Sequence, residues 1–323
     1  MDANTNTRPR VVTPFGPRTT AAEVLAGVDL TGRRVIVTGG ASGLGTETVR
    51  ALAGAGAEVT IAVRRPAAAA ELVEELAAAP GSARAARLDL SDLTSVAAFL
   101  ADWQGPVDAV VGNAGVMAVP QRQLSAQGWE AQLATNHLGH FALVTGLYDN
   151  LRAAGSARVV VVSSGAHLRA PFDFADPHFA QRPYDRWSAY GQSKTATVLF
   201  TVGIANRWAD QGITANAANP GYILTNLQRH LDDETMRAFG VLDEAGNRVP
   251  LDYYKTPEQG ASTSVLLAAS PLVEGVTGRY FEDNQEAEVA PDPAAAEAGV
   301  APHALDPAAA ERLWAYSEQA VAA

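Results

Sequence analysis

The sequence predicts an α/β fold, in which one doubly wound parallel sheet of about seven strands carries helices on both faces of a single domain. Short, continuously apolar runs such as Val35-Ile36-Val37 are typical of strands that are buried on both faces of a parallel sheet. Along the chain these runs alternate with longer segments of helical periodicity. The 323 residues, 47% of them hydrophobic, are enough for a core of this size.

The composition excludes several classes of function. The chain has no cysteine, so disulfides, thiol nucleophiles and thiolate metal sites are excluded. A net charge of −11 and a pI near 5.0 argue against nucleic acid as a partner, because neutralising phosphates requires a basic surface. No apolar run reaches the length of a membrane span, and the first thirty residues lack a secretory apolar segment. We therefore expect a small-molecule substrate, no membrane partner and, by default, a cytoplasmic location.

The first strand runs into a glycine-rich turn. A lead-in at 1–31, with a short helical stretch at 20–26, precedes the strand at 34–37. The turn Gly39-Gly40-Ala41-Ser42-Gly43-Leu44-Gly45 follows, and a helix is predicted at about 44–53. Glycines let the backbone approach a pyrophosphate, and the free amides at a helix N-terminus attract its negative charge. The segment predicts a Rossmann-type nucleotide site, with a purely structural turn as the alternative.

The second predicted strand, at 58–63, ends in Arg64-Arg65. At this end of such a sheet an acidic residue bonds the 2′-hydroxyl of NAD, whereas an arginine accommodates the 2′-phosphate of NADP. Val63 stands where the acid is expected, and Arg64 follows it. NADP(H) is therefore favoured and NAD(H) stays open; a pair of solvated loop cations is the alternative interpretation.

Small or polar residues follow the later strands, at the edge where open α/β sheets bind ligands. These strands and the residues after them are 83–88 with Asp89 and Leu90, 108–111 with Asn113-Ala114-Gly115, 157–162 with Ser163-Ser164, and 213–218 with Pro220-Gly221. Because the carboxyl ends of parallel strands share one edge, we expect these residues to surround one ligand.

The segments between the strands show helical periodicity or capping signals. Ser91 can cap the next helix. The predicted helices lie at about 66–79, 93–103, 126–151, 190–210, 256–269 and 307–321, and a last strand lies at 279–282. Segments 165–186 and 222–255 fit neither pattern and are interpreted as insertions, of which the second is placed where lids and substrate loops are common.

Tyr190 and Lys194 are four residues apart near the start of the helix at 190–210, and therefore lie on one helical face, one turn apart. A lysine within reach of a tyrosine hydroxyl stabilises the phenolate, so a group with a pKa of about 10 can exchange protons nearer neutrality. The pair predicts a general acid/base. The rarity of lysine supports this interpretation, since Lys194 and Lys255 are the only lysines in the chain. The alternative is that Tyr190 and Lys194 lie by chance on a solvated helix face.

Asn136, His137 and His140 lie close together in the helix predicted at 126–151. His137 and His140 are three apart, but no third ligand has a suitable spacing and there is no cysteine, so no metal is predicted. Asn136 is an amide in an otherwise apolar helix and must find hydrogen-bond partners. It is either a satisfied core residue or a catalytic relay.

Together these residues resemble the short-chain dehydrogenase/reductase family over about 29–282. The motifs that carry the resemblance are, in order, Thr38-Gly39-x-x-x-Gly43-Leu44-Gly45, Asp89, Asn113-Ala114-Gly115, Asn136, Ser164, Tyr190-x-x-x-Lys194 and Pro220-Gly221-x-x-x-Thr225. Each motif alone is weak, but their common order is specific. The resemblance implies a Rossmann-fold domain at 32–283, with a tail at 284–323 that ends in a helix.

The resemblance also implies NAD(P)-dependent hydride transfer, with catalytic roles for four residues. Tyr190 would exchange a proton with the substrate oxygen, and Ser164 rather than Ser163 would hold that oxygen. Lys194 would bind the nicotinamide ribose and lower the pKa of Tyr190, and Asn136 would tie Lys194 to a water chain. The residues implied to contact the cofactor are Gly39, Ala41, Ser42, Gly43, Leu44, Arg64, Asp89 (at adenine), Leu90, Asn113, Ala114, Gly115, Tyr190, Lys194, Pro220, Gly221 and Thr225 (at the carboxamide). Ser42 departs from the basic residue that many NADP-dependent members carry there.

Within the family, three features resemble the branch of retinol dehydrogenases, WW-domain oxidoreductase and protochlorophyllide reductase: Phe15-Gly16, Val63-Arg64 and the long segment between Ser164 and Tyr190. The membrane anchor of many retinol dehydrogenases has no counterpart here, so their membrane-bound retinoid chemistry is not implied. Apolar and aromatic residues in and beside the insertions favour a fairly apolar, aromatic or polycyclic substrate: Phe172, Phe174, Tyr184, Trp187, Tyr222, Met236 and Phe239. Packing of these side chains against the protein body is the alternative.

We therefore expect an NADP-dependent enzyme that interconverts a carbonyl and an alcohol. Reduction of a conjugated carbon–carbon double bond, with Tyr190 protonating carbon, is the alternative reaction. A cofactor-sensing or scaffold protein without turnover is the alternative class, and the presence of all four candidate catalytic residues argues against it. The long helices that carry Asn136 and Tyr190 could form a homodimer or homotetramer bundle, unless the C-terminal tail covers their outer face.

Overall fold

The computed structural model describes residues 9–249 and 251–322, and its centre is one sheet. Its strands are β1 (Arg34–Thr38), β2 (Glu58–Val63), β3 (Ser82–Arg87), β4 (Ala109–Gly112), β5 (Ala157–Val162), β6 (Ile213–Asn219), β7 (Arg279–Glu282) and β8 (Gln285–Glu286). The strand order is β3-β2-β1-β4-β5-β6-β7-β8. All neighbouring strands are parallel except β7 and β8. The predicted doubly wound parallel sheet is confirmed.

Strand β8 was not predicted from the sequence. It pairs antiparallel with β7 through a tight turn at Asp283 and Asn284, which have positive φ angles of 53° and 65°. Aspartate and asparagine tolerate this left-handed conformation better than most residues. Two strand residues carry no detectable periodicity, so the sequence pattern does not reveal them. The part of the predicted lead-in at 1–8, and Pro250 of the second insertion, lie outside the described residues.

The α-helices agree with the predicted segments to within a few residues, with two exceptions. They are α1 (Ala21–Val24), α2 (Leu44–Gly54), α3 (Ala70–Glu75), α4 (Leu93–Asp102), α5 (Ala131–Leu133), α6 (Gly139–Gly146), α7 (Tyr148–Ala153), α8 (Arg186–Trp208), α9 (Asp233–Ala238), α10 (Pro257–Gly260), α11 (Ser262–Ala269) and α12 (Pro307–Ala322). The helix α9 lies in the second insertion, where no element was predicted.

The long helix predicted at 126–151 begins later and is interrupted. A small bridged loop precedes Glu130, whose carboxylate accepts a hydrogen bond from Leu133 N at 2.8 Å and so caps α5. A π-helical turn, Ala134–Leu138, then separates α5 from α6. Turns of this kind are frequent at functional sites. This one contains Asn136.

The cap of α4 is Asp92, not Ser91. Asp92 Oδ1 accepts a hydrogen bond from Thr94 N at 2.9 Å. Ser91 Oγ instead donates to Asp89 Oδ1 at 2.6 Å. The prediction was wrong by one residue, because two adjacent side chains can both cap a helix and only the one directly before its first residue does so here.

Helices cover both faces of the sheet. Apolar side chains of α1, α2 and α11 form the core on one face, and those of α4, α6, α7 and α8 form the core on the other. Strand β1 pairs with β4 as well as with β2, so the chain order reverses between β1 and β4. This switch point is where open α/β sheets bind ligands. Within the described part of the chain, no helix has the length and apolarity to cross a membrane.

The C-terminal helix α12 packs across α6 and α8. The Trp314 ring centroid lies 5.1 Å from that of Phe141 and 5.5 Å from that of Trp208. These contacts bury Trp314, which is 6% exposed. The tail therefore covers the outer face of α6 and α8, the alternative that was left open beside a helical dimer or tetramer bundle.

Candidate active site

The glycine-rich turn after β1 lies directly against the turn after β4. Gly39 has a positive φ of 67°, and a Cβ at Gly45 would lie 2.7 Å from Asn113 Nδ2. Asn113 donates from Nδ2 to the Thr38 carbonyl at 2.9 Å, and Ala114 N donates to Thr38 Oγ1 at 2.9 Å. Two of the predicted cofactor segments are thus fixed together, with glycines where the backbones approach most closely.

The loop after β6 folds back onto the same turn. A Cβ at Gly43 would lie 3.3 Å from Thr225 Cβ. Thr225 also caps a short 3₁₀ helix, Asn226–His230, through a hydrogen bond from Leu227 N to its Oγ1 at 3.2 Å. Pro220-Gly221 lie earlier on this loop, directly after β6. Cofactor residues predicted from both halves of the chain therefore meet at one place.

Arginines lie at the far edge of this surface, beyond β2. Arg64 and Ser42 are exposed, and Asp89 is partly buried. Desolvation lowers the pKa of the Arg229 guanidinium, and the nearby charge of Arg64 lowers it further. A second cation, Arg229 of the loop after β6, thus lies near Arg64, the cation that the sequence predicts at the end of β2.

Asn136 is a satisfied amide that joins the turn after β4 to α8. Its Oδ1 accepts a hydrogen bond from Val116 N at 2.9 Å, and its Nδ2 donates to Val116 O at 3.0 Å and to Ser193 Oγ at 2.9 Å. A Cβ at Gly115 would lie 3.1 Å from Asn136 Oδ1 and 3.8 Å from Lys194 Nζ. The side chain of Asn136 thus lies near Lys194 and forms no direct hydrogen bond with it.

The two adjacent serines after β5 have different surroundings. Ser163 is 2% exposed and donates from Oγ to the Lys194 carbonyl at 2.9 Å, so its hydroxyl fastens α8 to the sheet. Ser164 is partly exposed, and its Oγ accepts a hydrogen bond from Ala166 N at 3.2 Å, which leaves the hydroxyl able to donate. Its geometry suits a substrate contact better than that of Ser163.

Tyr190 and Lys194 both lie on the buried face of α8. Each residue is 4% exposed. Lys194 Nζ donates to the Val162 carbonyl at 2.7 Å and lies 5.7 Å from the centroid of the Tyr190 ring. The pair therefore sits at the carboxyl end of β5, beside Ser164.

Burial dominates the ionisation of this pair. It raises the pKa of Tyr190 to about 12, while a hydrogen bond with the Ser164 hydroxyl acts in the opposite direction. It lowers the pKa of Lys194 to about 7. The expected lowering of the Tyr190 pKa by Lys194 is not seen in this arrangement, because the ammonium group bonds the Val162 carbonyl and both side chains have lost their solvent.

The histidines near Asn136 form hydrogen bonds. His137 Nε2 lies 2.7 Å from Ser317 Oγ of α12. His140 Nδ1 lies 3.1 Å from the Asn136 carbonyl, and its Nε2 lies 2.9 Å from Thr38 Oγ1. In the described ranges, no group of three or more His, Cys, Asp or Glu side chains could hold a metal ion.

The aromatic residues of the first insertion pack into the protein body. Phe172 is 7% exposed, and its ring centroid lies 4.8 Å from that of Phe174 and 5.8 Å from that of Tyr316 on α12. The Tyr184 hydroxyl donates to the Val119 carbonyl at 3.0 Å. Phe172, Phe174 and Tyr184 therefore pack against the protein body, as the alternative interpretation stated, and do not form an open substrate surface.

Trp187, near the start of α8, is partly exposed, and two aromatic residues of the second insertion are exposed. The rings of Trp187 and Phe239 form a T-shaped pair with centroids 5.8 Å apart, and Phe239 is 45% exposed. Tyr222 is 61% exposed, whereas Met236 is 5% exposed. The exposed apolar surface thus comes from Trp187, one turn before Tyr190, and from the second insertion.

Lys255 lies near the site, although no role was predicted for it from the sequence. It is 8% exposed, its Nζ lies 2.5 Å from Asp283 Oδ1, and a Cβ at Gly221 would lie 3.1 Å from its Cε. Its main-chain N also donates to the Tyr222 carbonyl at 2.9 Å. Lys255 therefore ties together the two ends of the second insertion. The rarity of lysine in the sequence could have drawn attention to Lys255. Its partner Asp283 lies on a turn far along the chain, however, and sequence spacing does not indicate such a pair.

Known proteins resemble this chain over most of its length. The family model for short chain dehydrogenases matches residues 33–235. A probable oxidoreductase of Streptomyces lividans is 69% identical over 297 residues, which cover 92% of this chain and 100% of the relative. Retinol dehydrogenase 14 of Mus musculus is 36% identical over 302 residues, which cover 89% of this chain and 85% of the relative.

Solved structures show the same fold. A putative uncharacterized protein from Mycobacterium paratuberculosis has a TM-score of 0.71 at 32% identity, over 94% of this chain and 98% of that one. The RhlG/NADP active-site complex of Pseudomonas aeruginosa has a TM-score of 0.60 at 26% identity, over 79% of this chain and 95% of that one.

Proposed function

This chain belongs to the short-chain dehydrogenase/reductase family of NAD(P)-dependent enzymes, and we propose that it interconverts a carbonyl and an alcohol on a fairly apolar small molecule, with NADP(H) as cofactor. The observation that carries the proposal is the position of Tyr190 and Lys194. Both are buried on one face of α8, at the carboxyl end of β5 and beside Ser164. A phenol, an amine and a second hydroxyl at the ligand edge of the sheet support this proposal.

The backbone at the switch point fits a dinucleotide. Side chains are absent at Gly39 and Gly43, where a Cβ would lie 3.0 Å from Ala114 Cα and 3.3 Å from Thr225 Cβ. These two glycines and the start of α2 would hold the pyrophosphate, because this geometry presents free amides to an anion. Lys194 would hold the nicotinamide ribose, and Thr225 would contact the carboxamide. When bound, the nicotinamide supplies or accepts the hydride.

Tyr190 is the proposed general acid/base. In reduction, the carbonyl carbon gains the hydride and the oxygen takes the phenolic proton from Tyr190, which gives the alcohol. In oxidation, the phenolate takes that proton from the alcohol as the hydride leaves carbon. Because burial raises the pKa of Tyr190 to about 12, the phenol is protonated at neutral pH and poised to donate.

Ser164, Lys194 and Asn136 would support this step in different ways. The Ser164 hydroxyl would donate to the substrate oxygen and hold it near Tyr190. The Lys194 ammonium, held by the Val162 carbonyl, would favour the phenolate once the proton has left. Asn136 would act as a positioning residue, since its amide bonds both the turn after β4 and α8.

The preference for NADP(H) is supported by two cations. Arg64 follows β2, where a 2′-phosphate would lie, and Arg229 approaches it from the loop after β6. Two like charges near one another are stabilised when an anion binds between them. One structural neighbour, RhlG of Pseudomonas aeruginosa, is itself a complex with NADP. NAD(H) remains the alternative cofactor, since Ser42 is not basic.

The substrate class is proposed from the exposed aromatic side chains. Trp187 lies one turn before Tyr190 on α8, and Phe239 and Tyr222 come from the second insertion. Such rings offer a large apolar contact surface at small conformational cost. An apolar carbonyl compound, aromatic or polycyclic, suits this surface.

The test uses the purified full chain with NADPH or NADH and a panel of aromatic aldehydes, aromatic ketones and conjugated enones. Oxidation of the reduced cofactor is followed by absorbance, and the products are identified by mass spectrometry. We expect turnover to an alcohol, faster with NADPH. Cofactor binding without turnover of any panel member would contradict the proposal, and saturated ketone products would instead identify double-bond reduction.

A further inference from the structure

His167 lies three residues after Ser164, in the 3₁₀ turn Gly165–Arg169, and is fully buried. Its Nδ1 lies 2.7 Å from the Ser164 carbonyl oxygen. Its main-chain N also donates to that carbonyl, at 3.2 Å. The orientation of the peptide that follows Ser164 is therefore set largely by one histidine.

The opposite nitrogen of the ring reaches the C-terminal tail. Ala301 N donates a hydrogen bond to His167 Nε2 at 3.1 Å. A main-chain N–H can only donate, so Nε2 must hold a free electron pair and the proton must reside on Nδ1, which then donates to the Ser164 carbonyl. This pattern requires a neutral ring, in agreement with burial, which lowers the pKa of His167 to about 4.

The imidazole is fixed on its other sides as well. Its centroid lies 4.7 Å from that of the Tyr280 ring on β7. The His167 carbonyl accepts hydrogen bonds from Thr195 Oγ1 at 3.3 Å and pairs with His303 Nε2 at 3.0 Å. Strand β7, helix α8 and the tail thus hold His167 in place, and its Nδ1–H points at the Ser164 carbonyl.

We propose that His167 is a positioning residue for Ser164, through which the tail segment at Ala301 fixes the direction of the Ser164 hydroxyl. The proposal rests on the proposed function of Ser164 as the substrate-oxygen contact. The Ser164 hydroxyl accepts a long bond from Ala166 N, at 3.2 Å, and also bonds the Tyr190 hydroxyl. Both bonds depend on where the main chain carries the Ser164 side chain, and His167 holds that main chain on the carbonyl side.

Two substitutions separate the two bonds of the ring. In His167→Asn, the side-chain amide can replace Nδ1 and donate to the Ser164 carbonyl, but it does not reach Ala301. In His167→Gln, the longer amide can accept from Ala301 N in place of Nε2, but it does not reproduce the short bond to Ser164. Both variants remove the ring from Tyr280, so they share the same loss of packing.

The measurements are kcat and KM for a panel substrate, the Kd for NADPH and the Tm of the purified full chain. We expect His167→Gln, which loses the Ser164 bond, to lower kcat about tenfold with the Kd for NADPH unchanged, and His167→Asn, which loses only the Ala301 bond, to lower kcat about threefold. Both should lose a similar amount of Tm. Replacing Ala301 with lactic acid exchanges only its N–H for an ester oxygen and adds no carbon atom beside the ring. It should lower kcat about threefold, like His167→Asn, and provides the test if His167→Gln does not fold.

Three outcomes would overturn the proposal. Equal kcat in the Asn and Gln variants would show that the Ser164 bond has no separate effect. Wild-type kcat in His167→Gln, or in the protein with lactic acid at position 301, would overturn the role of His167 alone when Ser164→Ala shows a clear loss of kcat. Wild-type kcat in Ser164→Ala would overturn the proposed function of Ser164 and the role of His167 with it.

Discussion

Lys194 Nζ donates a hydrogen bond to the Val162 carbonyl at 2.7 Å, and this bond to the end of β5 fixes the ammonium group beside Tyr190. The sheet edge, rather than the phenol, is thus the direct partner of the lysine. Burial favours the neutral form of both side chains: it lowers the pKa of Lys194 to about 7 and raises the pKa of Tyr190 to about 12. The reduced cofactor and the substrate would therefore meet a protonated tyrosine.

Replacing Tyr190 with phenylalanine tests the proposed acid/base. Only the hydroxyl is lost from a buried ring, so the fold should survive while kcat for carbonyl reduction falls by roughly 10²- to 10⁴-fold. Tyr148→Phe, at a hydroxyl on the surface of α7, serves as the control. Steady-state kinetics and NADPH titration measure the two effects, and wild-type turnover in Tyr190→Phe would show the assignment to be wrong.

The lowered pKa of Lys194 predicts how stability depends on pH. Between about pH 7 and the ordinary lysine value of about 10.4, the unfolded state holds a proton that the folded state has released, so the free energy of unfolding rises with pH. The slope from this group is ~1.4 kcal/mol per pH unit at most.

Lys194→Met isolates this contribution. The variant does not titrate at this position, so its stability relative to wild type should be greatest near or below pH 7 and should decline toward pH 9. Urea unfolding at several pH values measures it. A difference that is constant over this range would contradict the prediction.

Three buried histidines predict a loss of stability in acid. Burial lowers the pKa to about 3 for His137 and to about 4 for His140 and His167. Below the ordinary value of about 6.5, the unfolded state takes up protons that the folded state does not, so the free energy of unfolding falls as pH drops from about 6.5 to 4. The combined slope is ~4 kcal/mol per pH unit at most.

Unfolding by urea between pH 7 and 4.5 tests this dependence. The variant His137→Gln has one titrating histidine fewer, so the slope of its free energy of unfolding against pH should be smaller than that of wild type, by ~1.4 kcal/mol per pH unit at most. Equal slopes for wild type and variant would argue against a buried neutral His137.

Removing Arg64 tests the cofactor preference. Arg64→Ala should raise the KM for NADPH about tenfold or more and change the KM for NADH little, because a charged bond to a phosphate contributes about 1.5–3 kcal/mol. Arg229→Ala should act in the same direction but more weakly. Arg65→Ala, at the exposed neighbouring arginine, is the matched control. Equal effects of Arg64→Ala on both cofactors would remove the support for NADP(H).

The packing of α12 predicts the behaviour of a truncated chain. A protein ending at Asp306 would expose Phe141, Phe200 and Trp208, which Trp314 now covers. We expect this truncation to self-associate, because a newly exposed apolar patch of this kind favours association. Sedimentation velocity measures it, with Glu318→Ala on the exposed side of α12 as the control. A monomeric, stable truncated chain would contradict the prediction.

The sequence by itself determined the alternating strands and helices, the glycine-rich turn and the shared face of Tyr190 and Lys194. Each depends on neighbours within a few residues: apolar runs that fit buried strands, glycines before a helix, and a spacing of one helical turn. The start of α5 was misplaced and β8 was missed, because bridging loops and two-residue strands carry no period.

Only the tertiary structure decided which groups these side chains contact. Ser163 bonds the main chain of α8, Lys194 bonds the end of β5, and α12 covers the outer face of α6 and α8, on which an oligomer was one of two alternatives. The bond between His167 and Ala301 joins positions 134 residues apart. Local periodicity shows which face of a helix or strand is apolar. The partner of a side chain on another element depends on how the whole chain packs. Burial in that packing also sets the pKa values of the site.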